Sequence, residues 1–154
     1  MSNYELGDLI AEGKTKRVFG LKRWHGNTTD LSDLAVVESK DDITAGDGAK
    51  HEIMPGKGEL STATTSNVFK LLEQCGFILA WQERIDANRF LASRCQMLEL
   101  EVVARREVHG SSLKRNPFLS KGHVFPRLVV EFYLKTKDKR WREHELPKDD
   151  PLMV

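Results

Sequence analysis

The segment DLAVVESKDDITAGDGAK, residues 33–50, contains the pattern that decides the fold. Its first part, DLAVVESK, is predicted to form a strand whose successive side chains point to opposite faces of a sheet. Its second part, SKDDITAGDGAK, contains three Asp, two Gly and two Lys, a mixture that neither a core strand nor a surface helix needs. Two interpretations fit this composition: an Asp- and Gly-rich turn, or a loop that holds a ligand.

Short apolar runs predict further strands on both sides of this segment. LGDLIAEGK and TKRVFGL flank Gly13 and are predicted to form two strands joined by a turn, followed by a polar connection over residues 22–32. Beyond the segment, FILAWQERI, NRFLAS, LELEVVARREV and RLVVEFYLK predict four more strands. GSSLKRNPF is predicted to be a turn, and residues 136–154 a charged, weakly structured tail.

Residues 59–75 give the clearest helix signal in the sequence. Ser61 or Thr62 is a suitable N-terminal cap, and Gly76 stands where a left-handed C-terminal cap belongs. The apolar positions of this helix recur at helical spacing. Because strands outnumber helices and the connections are short, the sequence predicts an α+β fold with a mainly antiparallel sheet.

Composition excludes several classes of protein. The chain has 154 residues, of which 40% are apolar and 31% charged, which suits one folded unit or a domain plus part of a second. A net charge of +1 does not favour nucleic acid or a membrane as the partner. No apolar run approaches the length of a spanning helix, and the polar start is unlike a signal peptide, so we expect a cytoplasmic protein. Cys75 and Cys95 lie in apolar settings and are predicted to be reduced, buried thiols.

Lys14 and Lys16 form the first candidate site. Two lysines at i and i+2 of a strand point to the same face, where their ammonium groups repel unless an anion lies between them. A polyphosphate would suit that position, and a turn with solvated lysines is the alternative. The spacing of a Walker A loop does not occur in the sequence.

The second candidate is the Asp- and Gly-rich segment itself. Asp41, Asp42 and Asp47 need cations, backbone N–H groups or an amine ligand if they lie close together. Gly46 and Gly48 allow close backbone approach there.

The third candidate is the basic stretch at residues 101–117. Arg105, Ser111, Lys114 and Arg115 provide guanidinium forks, a hydroxyl and an ammonium beside a glycine, which suit a phosphate or a carboxylate. A nucleic-acid patch is the alternative, but it would need interleaved aromatic residues, and only Phe118 is near. The histidines show no metal-binding spacing, so we predict no metal ligands.

The order of several motifs identifies a family that the sequence resembles. EGKTKRVF, SKDDITAGDGAK, STATTSNVFKLL, VVARREVHGSSLKRNP and VEFYLK followed by DDP occur in the order found in SAICAR synthetase, from about Leu9 to Asp150. The resemblance implies a purine-biosynthesis ligase that joins L-aspartate to the carboxylate of the ribotide CAIR, using ATP and Mg²⁺ and passing through an acyl phosphate. It also implies an N-terminal β-rich ATP-binding domain, residues 1–95, and an incomplete second domain, residues 96–154, in a fold similar to ATP-grasp proteins and protein kinases.

The resemblance carries roles onto individual residues. The ATP-binding residues it implies are Lys14, Lys16, Arg94, Gln96, Met97, Glu101 and Lys135. The CAIR-binding residues it implies are Thr44, Gly46, Arg105, Ser111, Lys114 and Arg115. The catalytic residues it implies are Asp42, Asp47 and Lys16.

The resemblance also implies what lies outside these residues. The family's acidic Mg²⁺ ligands are expected in a C-terminal portion beyond Val154, so this chain is predicted to have little turnover by itself. Self-association or a second chain is expected to cover the truncated domain. The alternative function is a short homologue that binds a nucleotide or ribotide without ligase activity.

Overall fold

Antiparallel strands make up most of the regular structure in the computed structural model, which describes residues 3–26, 30–45, 50–136, 139–147 and 150–154. The chain divides into two units, unit 1 from Met1 to Gln96 and unit 2 from Met97 to Val154. Helices are few and every strand pair is antiparallel, so the predicted α+β class with a mainly antiparallel sheet is confirmed.

Unit 1 is built on a five-stranded sheet. Its elements are β1 (Tyr4–Glu12), β2 (Lys16–Trp24), a 3-10 turn (Leu31–Asp33), β3 (Leu34–Ser39), β4 (Asp42–Ala45), β5 (Lys50–Ile53), α1 (Lys57–Gln74), β6 (Trp81–Arg84) and β7 (Arg89–Ser93). The strand order is β1-β2-β3-β7-β6, which places β3 at the centre. The predicted strand DLAVVESK is therefore the middle of the sheet, and β2 extends to Trp24 into the predicted polar connection.

The central strands are covered on both faces. Val36 (0% exposed), Leu34 and Leu91 form one buried cluster. Trp81, Phe90 and Ala92 form the other, against which Phe69 of α1 packs. This two-sided burial explains why β3 is apolar at four consecutive positions, LAVV.

Helix α1 approaches the sheet through small residues. Its buried positions are Gly58, Thr62 and Ser66, whereas Leu60 is 71% and Leu71 60% exposed. A Cβ atom at Gly58 would lie 2.5 Å from the carbonyl oxygen of Ser39, so glycine is required for this close packing. The apolar periodicity of the helix therefore does not mark its buried face.

The ends of α1 differ in how well the sequence predicted them. Gly76 has φ = 86°, the predicted left-handed conformation. The predicted cap at Ser61 or Thr62 is wrong, because the helix begins at Lys57 with Gly56 as its first flanking residue. Asp41 instead accepts hydrogen bonds from the N–H groups of Gly56 (3.2 Å) and Gly58 (2.8 Å).

The Asp-rich segment forms a hairpin. β4 pairs with β5, with Asp42 opposite Ile53 and Thr44 opposite His51. Residues 46–49, which include the predicted site residues Gly46 and Asp47, lie outside the described residues.

Unit 2 contains a long hairpin and a short helix. Its elements are β8 (Leu100–Glu107), α2 (Ser111–Arg115), β9 (Val124–Leu134), β10 (Arg140–Trp141) and β11 (His144–Glu145). The prediction that GSSLKRNPF is only a turn is wrong, since five of its residues form α2, which follows Gly110 at φ = 57°. The tail also contains more structure than predicted, because β10 pairs with β11 and Tyr133 bridges to Leu152.

The cysteines depart from their predicted environment. Both Cys75 and Cys95 are unpaired thiols, as expected, but both are exposed rather than buried. Cys75 directly follows α1, and Cys95 lies in the extended stretch after β7, so neither is inside a sheet core. None of the helices in the described part of the chain is long and apolar enough to cross a membrane.

Candidate functional site

The end of β3 holds a lysine in a fixed position. The Nζ atom of Lys16, the first residue of β2, donates to the Oγ atom of Ser39 at 3.2 Å. Ser39 is 1% exposed and also accepts from the hydroxyl of Thr62 at 2.9 Å. The ammonium of Lys16 further lies 5.6 Å from the ring centre of Phe90. A strand, a helix and a buried hydroxyl therefore fix where this positive charge sits.

A second lysine reaches the same place from α1. Lys57 is the first residue of α1, and its Nζ atom donates to the carbonyl oxygen of Lys40 at 3.3 Å. Burial lowers the pKa of Lys16, and the charge of Lys57 lowers that pKa further. Two ammonium groups at one site raise the free energy of the empty site, and an anion between them would lower it.

This pair corrects the prediction that Lys14 and Lys16 share one strand face. Lys14 is exposed and lies in the turn between β1 and β2, because β2 begins only at Lys16. The lysine whose charge acts on Lys16 is therefore Lys57 of α1, and not a neighbour two residues away on the same strand. Lys57 was missed because the helix was predicted to start at residue 59; the turn residues Pro55-Gly56 directly before Lys57 could have revealed the true start.

Carboxylates neutralise the other cations around β3. Arg17 lies 3.1 Å from Glu12 and 3.3 Å from Glu38. Arg89 contacts Glu38 at 2.5 Å, and Lys40 contacts Glu12 at 2.9 Å.

Lys16 and Lys57 differ from these cations. Among the described residues, no carboxylate lies within 4 Å of either ammonium group. Uncompensated positive charge at this end of the sheet is thus concentrated on these two side chains.

The aspartates of the hairpin have two different environments. Asp41 accepts the backbone N–H groups at the start of α1. Asp42 contacts the Nε2 atom of His51 at 2.6 Å and lies 3.9 Å from Lys40. The hydrogen bond from His51 lowers the pKa of Asp42; burial opposes this effect, and the charge of Lys40 lowers the pKa further. Thr44 stands opposite His51 on the same hairpin.

The arginines of unit 2 converge on one carboxylate. Glu131 of β9 accepts from Arg105 Nε and, at 2.7 Å, from Arg115 Nη2. The Arg115 guanidinium also lies 5.2 Å from the ring centre of Tyr133. Glu131 is only 8% exposed, and burial alone would raise its pKa; the hydrogen bonds from Arg105 and Arg115 outweigh this, so that the pKa lies below its usual value. The structure thus brings Arg105 and Arg115 together and identifies Glu131, which sequence reasoning missed, as the group that orients them.

The remaining residues of the basic stretch lie on α2. Ser111 begins this helix and is exposed, and Lys114 is exposed on the same helix. The neighbouring Ser112, which was not predicted, is 1% exposed, and its carbonyl oxygen accepts from the side chain of Asn116 at 3.0 Å.

The predicted adenine-facing residues lie in the segment between β7 and β8, outside any strand or helix. Arg94, Gln96 and Met97 follow β7, and Met97 is 82% exposed. Glu101 and Lys135 form an ion pair with each other at 2.5 Å across the β8–β9 hairpin. The hydrogen bond to Glu101 raises the pKa of Lys135 above its usual value.

One cavity of unit 1 contains none of the predicted site residues. It has a volume of about 730 Å³ and is lined by residues that include Tyr4, Trp24 and Arg84. Its arginines already have partners, since Arg84 donates to the carbonyl oxygens of Asp86 and Ala87. Size alone therefore does not make it the site.

A metal site is not evident in the described part of the chain. No three His, Cys, Asp or Glu side chains there are grouped so that they could hold a metal ion. The described residues therefore do not fit Mg²⁺ as a set.

Comparison with known proteins places these features in a family. Residues 9–148 match the family described as SAICAR synthetase. A phosphoribosylaminoimidazole-succinocarboxamide synthase of Chloroflexus aurantiacus is 44% identical over 131 residues, which cover 85% of this chain and 49% of the relative. A bifunctional phosphoribosylaminoimidazole carboxylase/phosphoribosylaminoimidazole succinocarboxamide synthetase of Drosophila melanogaster is 38% identical over 95% of this chain and 33% of its own length.

Solved structures give the same result. A SAICAR synthetase in complex with ADP matches with a TM-score of 0.72 and 34% identity, over 97% of this chain and 55% of that protein. The chain thus spans between a third and a half of the curated relatives named above. Because the family match extends over residues 9–148, the chain belongs to the SAICAR synthetase family.

Proposed function

We propose that this protein contributes the nucleotide site and part of the ribotide site of an ATP-dependent carbon–nitrogen ligase in purine biosynthesis. The observation that carries the proposal is the ammonium of Lys16, held by Ser39 at the end of β3 and lacking a carboxylate partner among the described residues. Family membership and the ADP found in a related structure support the choice of a nucleotide as the anion.

In the proposed reaction, a carboxylate oxygen of CAIR attacks the γ-phosphorus of ATP. The bond from that phosphorus to the β,γ-bridging oxygen breaks, which gives an acyl phosphate and ADP. The amine of L-aspartate then attacks the acyl carbon, phosphate leaves, and the nitrogen loses a proton to give the amide SAICAR.

Lys16 and Lys14 would bind the ATP phosphates in this scheme. Negative charge shifts towards the β-phosphate as the γ-phosphoryl group moves, and a positioned ammonium stabilises that charge. Burial already disfavours the isolated charge of Lys16, so an anion that restores its solvation would bind more strongly there than at an exposed lysine. Arg94, Gln96 and Met97, between β7 and β8, would contact the adenine, and Glu101 and Lys135 would lie near the nucleotide.

The arginines of unit 2 would bind an anionic group of CAIR. Each guanidinium has five N–H donors, and Glu131 accepts only some of those of Arg105 and Arg115. The remaining donors are pre-oriented because Glu131 fixes both planes. Ser111 and Lys114 would complete this subsite, and Thr44 and Gly46 are the further CAIR-binding residues of the proposal.

Asp42 and Asp47 are the proposed catalytic carboxylates near the aspartate amine. The lowered pKa of Asp42 means that it remains ionised at neutral pH and attracts an ammonium group. Residues 1–95 would then form the ATP-binding domain and residues 96–154 the CAIR-binding part, in a cytoplasmic protein.

Calorimetric titration of ATP into the purified chain tests this proposal. We expect Lys16→Ala to weaken ATP binding by about tenfold or more, since a charge-assisted hydrogen bond contributes roughly 1.5–3 kcal/mol. The matched control is Lys70→Ala, an exposed lysine on α1. Equal affinity in wild type and Lys16→Ala would contradict the assignment of the nucleotide site.

A second assay measures ADP release with CAIR, L-aspartate, Mg²⁺ and ATP. Release that requires both CAIR and L-aspartate would demonstrate ligase activity in this chain. ATP binding without such release would favour the alternative, a protein that binds a nucleotide or ribotide without ligation.

A further inference from the structure

We propose that Lys57 is a second phosphate-binding cation, which holds one phosphoryl group jointly with Lys16 at the end of β3. The inference rests on the proposed function and deepens it. It assigns the partner of Lys16 to the first turn of α1 rather than only to the β1–β2 turn.

The position of Lys57 is fixed by contacts on both sides of it. Asp41 accepts the N–H groups of the two flanking glycines, Gly56 and Gly58. Gly58 packs so closely on the carbonyl oxygen of Ser39 that a Cβ atom would lie 2.5 Å away. The backbone of Lys57 therefore cannot move away from the end of β3 without breaking these contacts, and its Nζ atom already reaches the carbonyl oxygen of Lys40.

Lys16 and helix α1 are also connected through buried hydroxyls. Thr62, five residues further along α1, donates to Ser39, and Ser39 accepts from Lys16. Thr62 and Ser39 are 0% and 1% exposed, so this link is part of the core. A ligand that contacts Lys16 at this point therefore lies beside the start of α1.

The charge distribution favours an anion between the lysines. Arg17, Lys40 and Arg89 each have a carboxylate within 3.3 Å. Lys16 and Lys57 have none within 4 Å in the described ranges, and the charge of Lys57 acts on Lys16. Like charges held together by the fold are stabilised when an anion binds between them.

The chemistry of the two side chains favours a phosphoryl group over a carboxylate. Ammonium groups act as compact point charges with three donors, which suit the tetrahedral array of phosphoryl oxygens. Guanidinium forks suit the planar, bidentate recognition of a carboxylate, and the two cations without a carboxylate partner among the described residues around β3 are both lysines. The ligand class is therefore a terminal phosphoryl group of a polyphosphate chain.

Binding of ATP and of inorganic tripolyphosphate to the full chain tests the inference. The variants are Lys57→Gln, which can still donate to the carbonyl oxygen of Lys40, and Lys57→Arg, which keeps the charge. We expect Lys57→Gln to weaken binding of both ligands by about tenfold or more and Lys57→Arg to retain most of the affinity. Lys70→Gln, with the same change at an exposed position of α1, should stay within about twofold of wild type.

Protection from reductive methylation gives a readout that needs no variant. ATP or tripolyphosphate should slow methylation of both Lys16 and Lys57 but leave Lys70 unaffected. Protection of Lys16 alone would overturn the role of Lys57 and leave the proposed function standing. Protection of neither lysine, together with an absence of ATP binding, would overturn both.

Discussion

Replacing Glu131 with Gln tests whether one carboxylate positions both arginines of unit 2. The side chain of Glu131 is 11% exposed, and those of Arg105 and Arg115 are 17% and 29% exposed, so water screens these contacts only in part. Removing one partner of a buried ion pair costs roughly 3–5 kcal/mol, but Gln can still accept one of the two hydrogen bonds and both arginines reach solvent. We therefore expect a loss of about 2–3 kcal/mol in the stability of the β8–β9 hairpin, from the same principle after this discount.

Amide hydrogen exchange of β8 and β9 measures this loss locally. A loss of about 2–3 kcal/mol corresponds to exchange that is faster by roughly 30- to 150-fold. The matched control is Glu107→Gln on β8, whose exposed carboxylate contacts His109 at 3.1 Å and should contribute less than about 1 kcal/mol. Similar exchange rates in the two variants would refute the view that Glu131 organises this cluster.

The pH dependence of hairpin stability tests the same role of Glu131, and its direction follows from the pKa shift. The pKa of Glu131 is lowered in the folded chain, so its contribution to stability is present above its unfolded pKa and is lost as the pH falls through its folded pKa. Wild type should therefore lose hairpin stability in acid, and Glu131→Gln should lack that component. Parallel acid profiles for wild type and variant would show that Glu131 is not responsible.

Three further predictions concern unit 1. Asp41→Ala should destabilise the start of α1 by about 1–2 kcal/mol in urea unfolding, because two backbone N–H groups lose their acceptor. Asp41→Asn should lose less stability, and equal losses in the two variants would argue against capping by Asp41. Gly58→Ala should cost about 1–3 kcal/mol, because its Cβ would meet the Ser39 carbonyl oxygen, and a thermal melt that matches wild type would contradict the close packing. His51→Gln should raise the pKa of Asp42, which carboxyl-carbon NMR measures, and His109→Gln is the control. An unchanged titration of Asp42 would mean that its 2.6 Å contact with the Nε2 atom of His51 does not persist in solution.

The sequence predicted the central sheet because its signal is local. An uninterrupted apolar run such as LAVV, residues 34–37, suits a strand covered on both faces, and β3 contains that run. Gly76 was also predictable, because a left-handed helix end strongly favours glycine. The sequence placed Arg105 and Arg115 in the same basic stretch, but it did not predict that both contact Glu131.

The features that escaped prediction depend on contacts between distant parts of the chain. The buried face of α1 consists of Gly58, Thr62 and Ser66, which carry almost no apolar signal, because close backbone approach decides their burial. Asp41 caps a helix that starts 15 residues or more further along the chain. Glu131 is the single acidic residue in RLVVEFYLK, and that interruption of an apolar strand was the signal that could have revealed it.

Asp41 couples two parts of the chain, the start of α1 and the β4–β5 hairpin. Its side chain holds the start of α1, its carbonyl oxygen accepts from the N–H group of Met54 at 2.9 Å, and the next residue begins the β4–β5 hairpin. A ligand that shifted the hairpin would therefore also shift the start of α1, and a ligand bound at Lys57, as proposed, would shift the hairpin. Linkage requires the two effects to be equal in free energy. If the hairpin and the start of α1 each hold a ligand, as proposed, the affinity of one ligand measured in the presence of the other reports on this coupling through Asp41.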